Sequence, residues 1–358
     1  MPWDRFDPLA KGILREDGYM HPPYVIDAHA HIHLHIPKAG NPPFPSFHDV
    51  TDQLLREDKA GLINTESLIG EMDRYGIDKA CILYAGRMCI KFEEYLKVLR
   101  AYPDRFIGFY WPIDEKVTDG LAKSSYTPER LAELTEEALK YPEIKGLGEG
   151  TAAEAAHWAP RNGWPSDDIT RYYIPMMEVA AEKKVPVMWH SGPSPYNITM
   201  TKETRHLVYR GYVGHATYDP MIYDGIVTLF PEIDFIICHC GVQGCYFYNS
   251  YADHAMMLAA MHPNVYLETS MAPAELIEKA IADPAIGAEK LVMGSDFGAT
   301  SSFYRYKDQI LPSYKKRPFP ELPGHNIEQA VRVLDETIMT PEERRLIKGQ
   351  NMARILGL

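Results

Sequence analysis

The chain has 358 residues, 46% of them hydrophobic, which is enough to bury a large core in one α/β barrel or in two smaller domains. Its 49 acidic and 37 basic side chains leave a formal charge of −12, which argues against a protein that grips a phosphate backbone. No apolar run of about 18 residues suggests a membrane span. The opening MPWDRFDPLAKGILRED alternates acidic and basic residues without the apolar stretch of a secretory leader. Three of the five Cys (Cys238, Cys240, Cys245) crowd into one short segment, which in a chain this long does not describe a disulfide framework. A cytoplasmic enzyme is expected.

In chain order, an N-terminal extension over 1–22 precedes a single expected domain over 23–358. Eight short, continuously apolar runs follow: YVIDAH (24–29), KACILY (79–84), RFIGFYW (105–111), EIKGLGE (143–149), VPVMWH (185–190), DFIICH (234–239), NVYLET (264–269) and KLVMGSD (290–296). Such runs suit strands buried on both faces. Helical patterns separate them at 66–76, 91–102, 127–140, 172–184, 219–230 and 272–283. Thr127 before Pro128 is an N-cap followed by proline at the first helical position. Thr340 and Pro341 repeat the signal and open a helix that closes the chain. Strands alternating with helices predict a (β/α)8 TIM barrel, with an open doubly wound sheet as the alternative. Four long connections, 35–65, 150–170, 192–219 and 297–325, each follow the C-terminal end of a predicted strand. In a barrel these βα loops share the face that carries the active site.

The chemistry concentrates at those strand ends. Asp27-Ala28-His29-Ala30-His31 closes the first strand, and alternation puts His29 and His31 on one side of it. Two imidazoles so placed are a chelate for a borderline ion such as zinc. His33 and His35 extend the alternation. His190, His239 and Asp296 close the fifth, sixth and eighth runs. A lone His on an apolar strand is more often a satisfied core residue, but ligand-type residues at four strand ends of one barrel point to a shared centre. No P-loop or dinucleotide fingerprint occurs, and no nucleotide cofactor or nucleic-acid partner is expected.

This ordered set, together with the phrases VIDAHAHI, LFPEIDFIICHCG, HPNVYLETS, LVMGSDFG and NMARILGL, resembles the amidohydrolase superfamily. The finer resemblance is to its amidohydrolase-related branch, which includes aminocarboxymuconate-semialdehyde decarboxylase and resorcylate-type decarboxylases. It spans residues 25–358. The resemblance implies one divalent metal per chain, Zn²⁺ first and Mn²⁺ as the alternative, held by His29, His31, His190 and Asp296. It implies His239 as a general acid/base beside the ion and Asp296 as a second proton carrier. Binuclear members of the superfamily use a carboxylated lysine at the end of the fourth strand. Glu149 stands there instead, which favours one ion and leaves open a second one bridged by that carboxylate. The resemblance also implies a homodimer or a higher homo-oligomer.

Two reactions suit such a set. The first is non-oxidative decarboxylation of a small aromatic or unsaturated carboxylic acid, with the ion as Lewis acid and His239 or Asp296 moving the proton. The second is hydrolysis of a lactone, an amide or a carbon–carbon bond by a metal-activated water. The H-x-H form at His29 and His31 fits both. A catalytically dead barrel is disfavoured, because no expected ligand is missing. For the substrate, Arg87 after the second strand and Arg161 in the fourth βα loop are candidate carboxylate clamps. Trp111 and Trp189, with Trp158, Trp164, Tyr246 and Phe303, are candidate aromatic walls. Glu268 is a candidate hydrogen-bond partner for a ligand histidine.

Overall fold

The eight apolar runs become eight parallel strands: β1 (Ile26–Ala30), β2 (Lys79–Tyr84), β3 (Phe106–Tyr110), β4 (Ile144–Gly150), β5 (Val187–Trp189), β6 (Phe235–Ile237), β7 (Val265–Glu268) and β8 (Leu291–Val292). They pair in sequence order. In this computed structural model the described residues are 24–32, 65–84, 92–112, 127–152, 155, 170–192, 218–242, 251–297 and 327–358. The expected 1–22 extension and most of the four long βα connections lie outside them. The sheet closes on itself where the chain beyond β8 meets β1. Ala28 N–H donates to the Met293 carbonyl (2.8 Å), Asp296 N–H to that of His29 (2.8 Å) and His31 N–H to that of Phe297 (2.7 Å). The architecture is the (β/α)8 barrel expected from the strand–helix alternation.

Side-chain parity builds two apolar layers from one sheet. Ile26, Ala28, Leu83, Phe109, Met188, Ile236 and Val292 fill the barrel's interior. Their neighbours, among them Ala80, Ile82, Val187, Phe235 and Leu291, face outward into the layer shared with the helices. Each Val, Leu, Ile, Phe or Met among them, buried completely, contributes about 1.5–3 kcal/mol. The outer layer is covered by α1 (Thr65–Tyr75), α2 (Phe92–Ala101), α3 (Pro128–Ala138), α4 (Ile174–Lys183), α5 (Asp224–Leu229), α6 (Ala252–Met261), α7 (Ala274–Ala282) and α8 (Ile327–Glu336). At α3 the Thr127 side chain accepts a bond from Arg130 N–H at 3.2 Å, with Pro128 at the first turn.

The closing helix comes in two pieces, α9 (Pro341–Arg345) and α10 (Asn351–Leu356), joined by a wider turn over Leu346–Gln350. A capping box opens α9: Glu343 N–H donates to Thr340 Oγ1 (3.3 Å) and Thr340 N–H to Glu343 Oε2 (2.6 Å). Met352 of α10 joins the interior cluster with Ile26, and the buried Asn351 amide donates to the carbonyls of Ala288 (2.7 Å) and Leu291 (2.8 Å). This segment therefore plugs the barrel at the N-terminal ends of its strands. The join passes so close to β1 that a Cβ on Gly349 would overlap the Tyr24 carbonyl oxygen. Gly349→Ala is accordingly expected to cost about 2–3 kcal/mol through forced displacement of backbone. Gly70→Ala, on the exposed side of α1 with open space around it, is expected to gain about 0.5–1 kcal/mol. Paired thermal melts check both: the apparent Tm should fall for the first and hold or rise for the second.

Two strands stop earlier than the apolar runs suggested. β6 ends at Ile237 because His239, Cys240 and Gly241 take left-handed backbone angles (φ 64°, 49° and 74°). β8 ends at Val292, and Asp296 beyond it has φ 52°. Non-glycine residues seldom adopt such angles, and a strand cannot continue through them. Both turns fall at the end of the barrel that carries His29 and His31.

Candidate metal centre

The centre begins where β1 shifts its register against β2 between Asp27 and Ala30: Ile26 and Ala28 line the interior before the shift, Ala30 packs in the outer layer after it, and His29 and His31, both buried, turn inward. His29 Nδ1 bonds Glu268 Oε2 at 2.9 Å, and His31 Nδ1 bonds the Leu83 carbonyl at 3.1 Å. Carbonyl and carboxylate oxygens only accept, so each Nδ1 carries a proton and each Nε2, directed at the barrel's centre, is the atom left to hold either a proton or a metal ion. The two Nε2 atoms are 3.1 Å apart, and Asp296 Oδ1 is 3.4 Å from each. Such a triangle needs positive charge at its centre, from a proton on an Nε2 or from a metal ion. Its edges match adjacent corners around an ion held at roughly 2.0–2.2 Å. These residues therefore fit a divalent metal.

Glu149, at the end of β4, adds a second carboxylate. Its Oε2 lies 3.4 Å from His29 Nε2 and 3.7 Å from His31 Nε2. Its Oε1 faces the other way, 2.6 Å from His190 Nδ1 and 3.3 Å from His239 Nε2. Among the described residues, three sets have donor atoms close enough to share an ion: His29–His31–Glu149, Glu149–His190–His239 and His29–His239–Glu268; in the last, the Glu268 carboxylate is already engaged by His29 Nδ1–H, His239 N–H and Ser270. His190, expected beside His29 and His31, thus meets the centre at the opposite oxygen of Glu149.

Polar bonds aim each ring. His190 N–H continues the β5–β4 ladder to the Gly150 carbonyl (2.7 Å), and Tyr223 Oη–H donates to the His190 carbonyl (3.2 Å). His239 N–H donates to Glu268 Oε2 (3.0 Å), and His239 Nδ1 meets Ser270 Oγ at 2.7 Å. The Ser270 hydroxyl itself donates to Glu268 Oε2 (2.8 Å), so it accepts from His239. The turn carrying His239 is held from below by Ser191, whose hydroxyl donates to the Cys238 carbonyl (2.5 Å) and accepts from Gly241 N–H (3.0 Å). On the β1 side, Asp27 accepts from His29 N–H (3.0 Å) and from Ser295 N–H (2.9 Å) and hydroxyl (2.5 Å), fixing the approach to Asp296.

The field at this point favours positive charge. Burial opposes a cationic His29, yet the Glu149 carboxylate, and Asp296 with it, outweigh burial and hold its pKa well above the usual imidazole value. Burial would likewise raise Glu149, but His190 and His29 keep it well below the ordinary carboxylate range. Glu268 is lowered against its own burial by its bond to His29. Asp27 goes the other way: burial pushes it up to about 6 despite its bonds to Ser295 and His29. The Cys238 and Cys240 thiols are raised by burial and stay protonated, which suits packing rather than nucleophilic work.

Not every expected site residue arrives here. Arg87 and Arg161 lie outside the described residues, as do Trp158, Trp164, Tyr246 and Phe303. Trp111 and Trp189 are fully buried, but in the outer layer, with ring centroids 5.0 Å apart and Trp189 stacked on Tyr223 at 4.5 Å. That placement makes them packing between sheet and helices rather than a substrate wall. The sequence reading missed Ser270, Ser295 and Asp27 as aiming groups. The one available signal was the position of Ser270 and Ser295 within two residues of Glu268 and next to Asp296.

A (β/α)8 barrel whose strand ends converge imidazoles and carboxylates on one point defines a class of metal-dependent enzyme folds. Residues 26–358 match the family Amidohydro_2, described as amidohydrolase, and the chain belongs to that family. Similar solved structures include 5-carboxyvanillate decarboxylase LigW from Sphingomonas paucimobilis (14% identity, TM-score 0.55, 94% of this chain and 99% of that one). A second is 2,6-dihydroxybenzoate decarboxylase complexed with 2,6-dihydroxybenzoate (15%, 0.56, 93% and 98%). A third is the dihydroxybenzoic acid decarboxylase from Polaromonas sp. JS666 with bound manganese and 2-nitroresorcinol (16%, 0.52, 94% and 97%). No curated protein sequence matches the chain. Among the described residues, no helix is long and apolar enough to cross a membrane.

Proposed function

We propose that this chain is a divalent-metal-dependent decarboxylase that removes CO₂ non-oxidatively from a small aromatic or unsaturated carboxylic acid. The observation that carries the reading is the set of imidazole lone pairs and carboxylates, His29, His31, Asp296 and Glu149, facing one buried point at the barrel's mouth. His190 completes the set across Glu149. The three decarboxylases of hydroxylated or carboxylated aromatics that share the fold support the substrate class. The manganese in one of them makes Mn²⁺ a candidate beside Zn²⁺.

When bound, the ion supplies Lewis acidity toward the substrate's carboxylate and an adjacent oxygen. The protein's own groups do the rest. His239 holds a proton at Nε2 and delivers it to the carbon that loses CO₂. Its Nδ1 is fixed by Ser270, so the ring cannot turn away. Asp296 is the second proton carrier. Arg87 and Arg161, in the loops after β2 and β4, pair with the substrate carboxylate. The enzyme works as a cytoplasmic homodimer or higher homo-oligomer.

The test incubates Mn²⁺- and Zn²⁺-loaded protein with dihydroxybenzoates, carboxyvanillate and muconate-type acids and follows CO₂. Release from at least one acid, lost on chelation, is the expected result. Silence across the panel at full metal occupancy overturns the reading. Solvent ¹⁸O in a product without CO₂ release would assign the hydrolytic alternative instead.

A further inference from the structure

Just past the centre, a side chain interrupts the ladder between β4 and β5. His190 N–H donates to the Gly150 carbonyl at 2.7 Å. In a regular parallel pair the His190 carbonyl would next accept from Ala152 N–H. The Tyr223 hydroxyl stands between them instead: it accepts from Ala152 N–H (3.0 Å) and donates to the His190 carbonyl (3.2 Å). One rung has become two bonds through an oxygen. At the open angle of a hydroxyl, this holds the strand ends further apart than a direct bond of about 2.9 Å would. The rung lies beside Glu149 and His190, whose side chains meet at 2.6 Å. We infer that Tyr223 is a positioning residue, a spacer in the sheet that sets how far apart the ends of β4 and β5 stand and so how Glu149 and His190 face the metal centre.

The surroundings hold the hydroxyl in that gap. Tyr223 ends the turn Pro220–Tyr223 ahead of α5. Its ring is fully buried and stacked on Trp189 at 4.5 Å and 21°. Trp189 in turn packs edge-on against Trp111 (5.0 Å) and Tyr173 (5.1 Å). On the β4 side, a Cβ on Gly150 would overlap the Trp111 ring, so the strand end rests directly on this cluster. Burial pushes the Tyr223 phenol up, and it stays a neutral hydroxyl able to donate and accept at once. The Thr151 side chain bonds the same oxygen. The pairing of β4 with β5 already shifts register between Leu147 and Gly150, so the ladder alone does not fix the spacing beyond that point. Tyr173 supplies the comparison. Its hydroxyl accepts from Ala155 N–H (3.2 Å) and donates to the Thr151 carbonyl (2.9 Å), tying the same chain segment through bonds that do not reach β5. With phenylalanine at 223, Ala152 N–H and the His190 carbonyl either lose their partner or close on each other. Both outcomes move Glu149 relative to His190.

The inference rests on the metal-dependent reading of the centre and not on decarboxylation. Metal-free full-length protein is titrated with Mn²⁺ by calorimetry, and the visible ligand-field bands of the Co²⁺-loaded protein report the geometry of the ligands. Tyr223→Phe is expected to bind Mn²⁺ about 10–100-fold more weakly than the parent and to shift the Co²⁺ bands. Tyr173→Phe deletes the same atom from the same cluster and is expected to keep the parental affinity and bands, even where its melt falls as far. Tyr223→para-aminophenylalanine, whose amine both donates and accepts at that place, should restore affinity and bands together. Parental binding in Tyr223→Phe, an equal loss in Tyr173→Phe, or no recovery with the amine overturns the spacer and leaves Tyr223 as packing. If Tyr223→Phe does not fold, the folded amine variant decides: parental binding supports the spacer and weakened binding overturns it. If the parent binds neither ion, the metal-dependent reading fails, and the backbone amide signals of the metal-free proteins decide the spacer. Tyr223→Phe should move those of Ala152 and His190, whereas Tyr173→Phe should move that of Ala155 and leave His190 in place. An unmoved His190 signal in Tyr223→Phe overturns the inference.

Discussion

On the proposed decarboxylase reading, Asp296→Asn is expected to lower turnover roughly 10³-fold or more, the combined loss of the ion-binding charge and the proton carrier that reading assigns to it. The substitution keeps the shape of the side chain. It also leaves intact the backbone bond from residue 296 to the His29 carbonyl, 2.8 Å in the parent, so the barrel closure survives. What disappears is one of two negative charges facing the imidazole lone pairs. Asp296 Oδ1 stands 3.4 Å from both His29 Nε2 and His31 Nε2, and with Glu149 it would balance a divalent ion held there. With asparagine the first donor set keeps a single carboxylate, and the ion is held against an uncompensated positive charge. Metal content by atomic emission and turnover of the decarboxylated acid should fall together. A variant that stays fully metal-loaded and retains parental turnover would remove Asp296 from the centre.

Much of this was readable before any coordinates, and the reason is local. Each strand is a short apolar run, and four of the eight runs carry a metal-ligand type of residue at the end, His29, His190, His239 and Asp296. A barrel gathers strand ends onto one face whatever the sequence distance between them. The misplaced tryptophans were also readable. Trp189 immediately precedes His190, and successive side chains point to opposite faces of a strand. An inward His190 therefore requires an outward Trp189, and the outer layer is where it packs. The central position of Glu149 was not readable. EIKGLGEG shows a carboxylate at a strand end but not that its two oxygens serve different pairs of rings. The left-handed turn at His239 was equally hidden, because HCG offers only one glycine for three residues with positive φ. The direction of Asp296 depends on a similar turn and on Ser295 bonding Asp27 across the closure, a contact between residues far apart in the chain.

Glu268→Gln should produce the second large effect, weakening metal binding about 10–100-fold and costing about 3 kcal/mol of stability even in the metal-free protein. Glu268 is completely buried and accepts from four donors at once. His29 Nδ1–H, His239 N–H and the Ser270 hydroxyl converge on Oε2 (2.9, 3.0 and 2.8 Å), and Ser270 N–H bonds Oε1. Glutamine replaces one of these oxygens with an NH₂ group that meets donors wherever it points. In one orientation it faces Ser270 N–H. In the other it faces both histidines that the carboxylate was aiming, and the His29 tautomer is no longer fixed. Gly294→Ala reaches the same carboxylate from outside, since a methyl there would overlap Glu268, while every hydrogen-bonding group remains in place. Both variants should bind Mn²⁺ more weakly and melt earlier than the parent, with metal-free melts isolating the folding contribution. If the melts fall but the Mn²⁺ affinity does not, Glu268 only holds β7 against β1 and β6 and takes no part in aiming His29 at the ion. If the affinity falls in step, a side chain that never touches the metal sets how tightly it is held, because the lone pair His29 offers is directed only while its other nitrogen has a negative charge to bond.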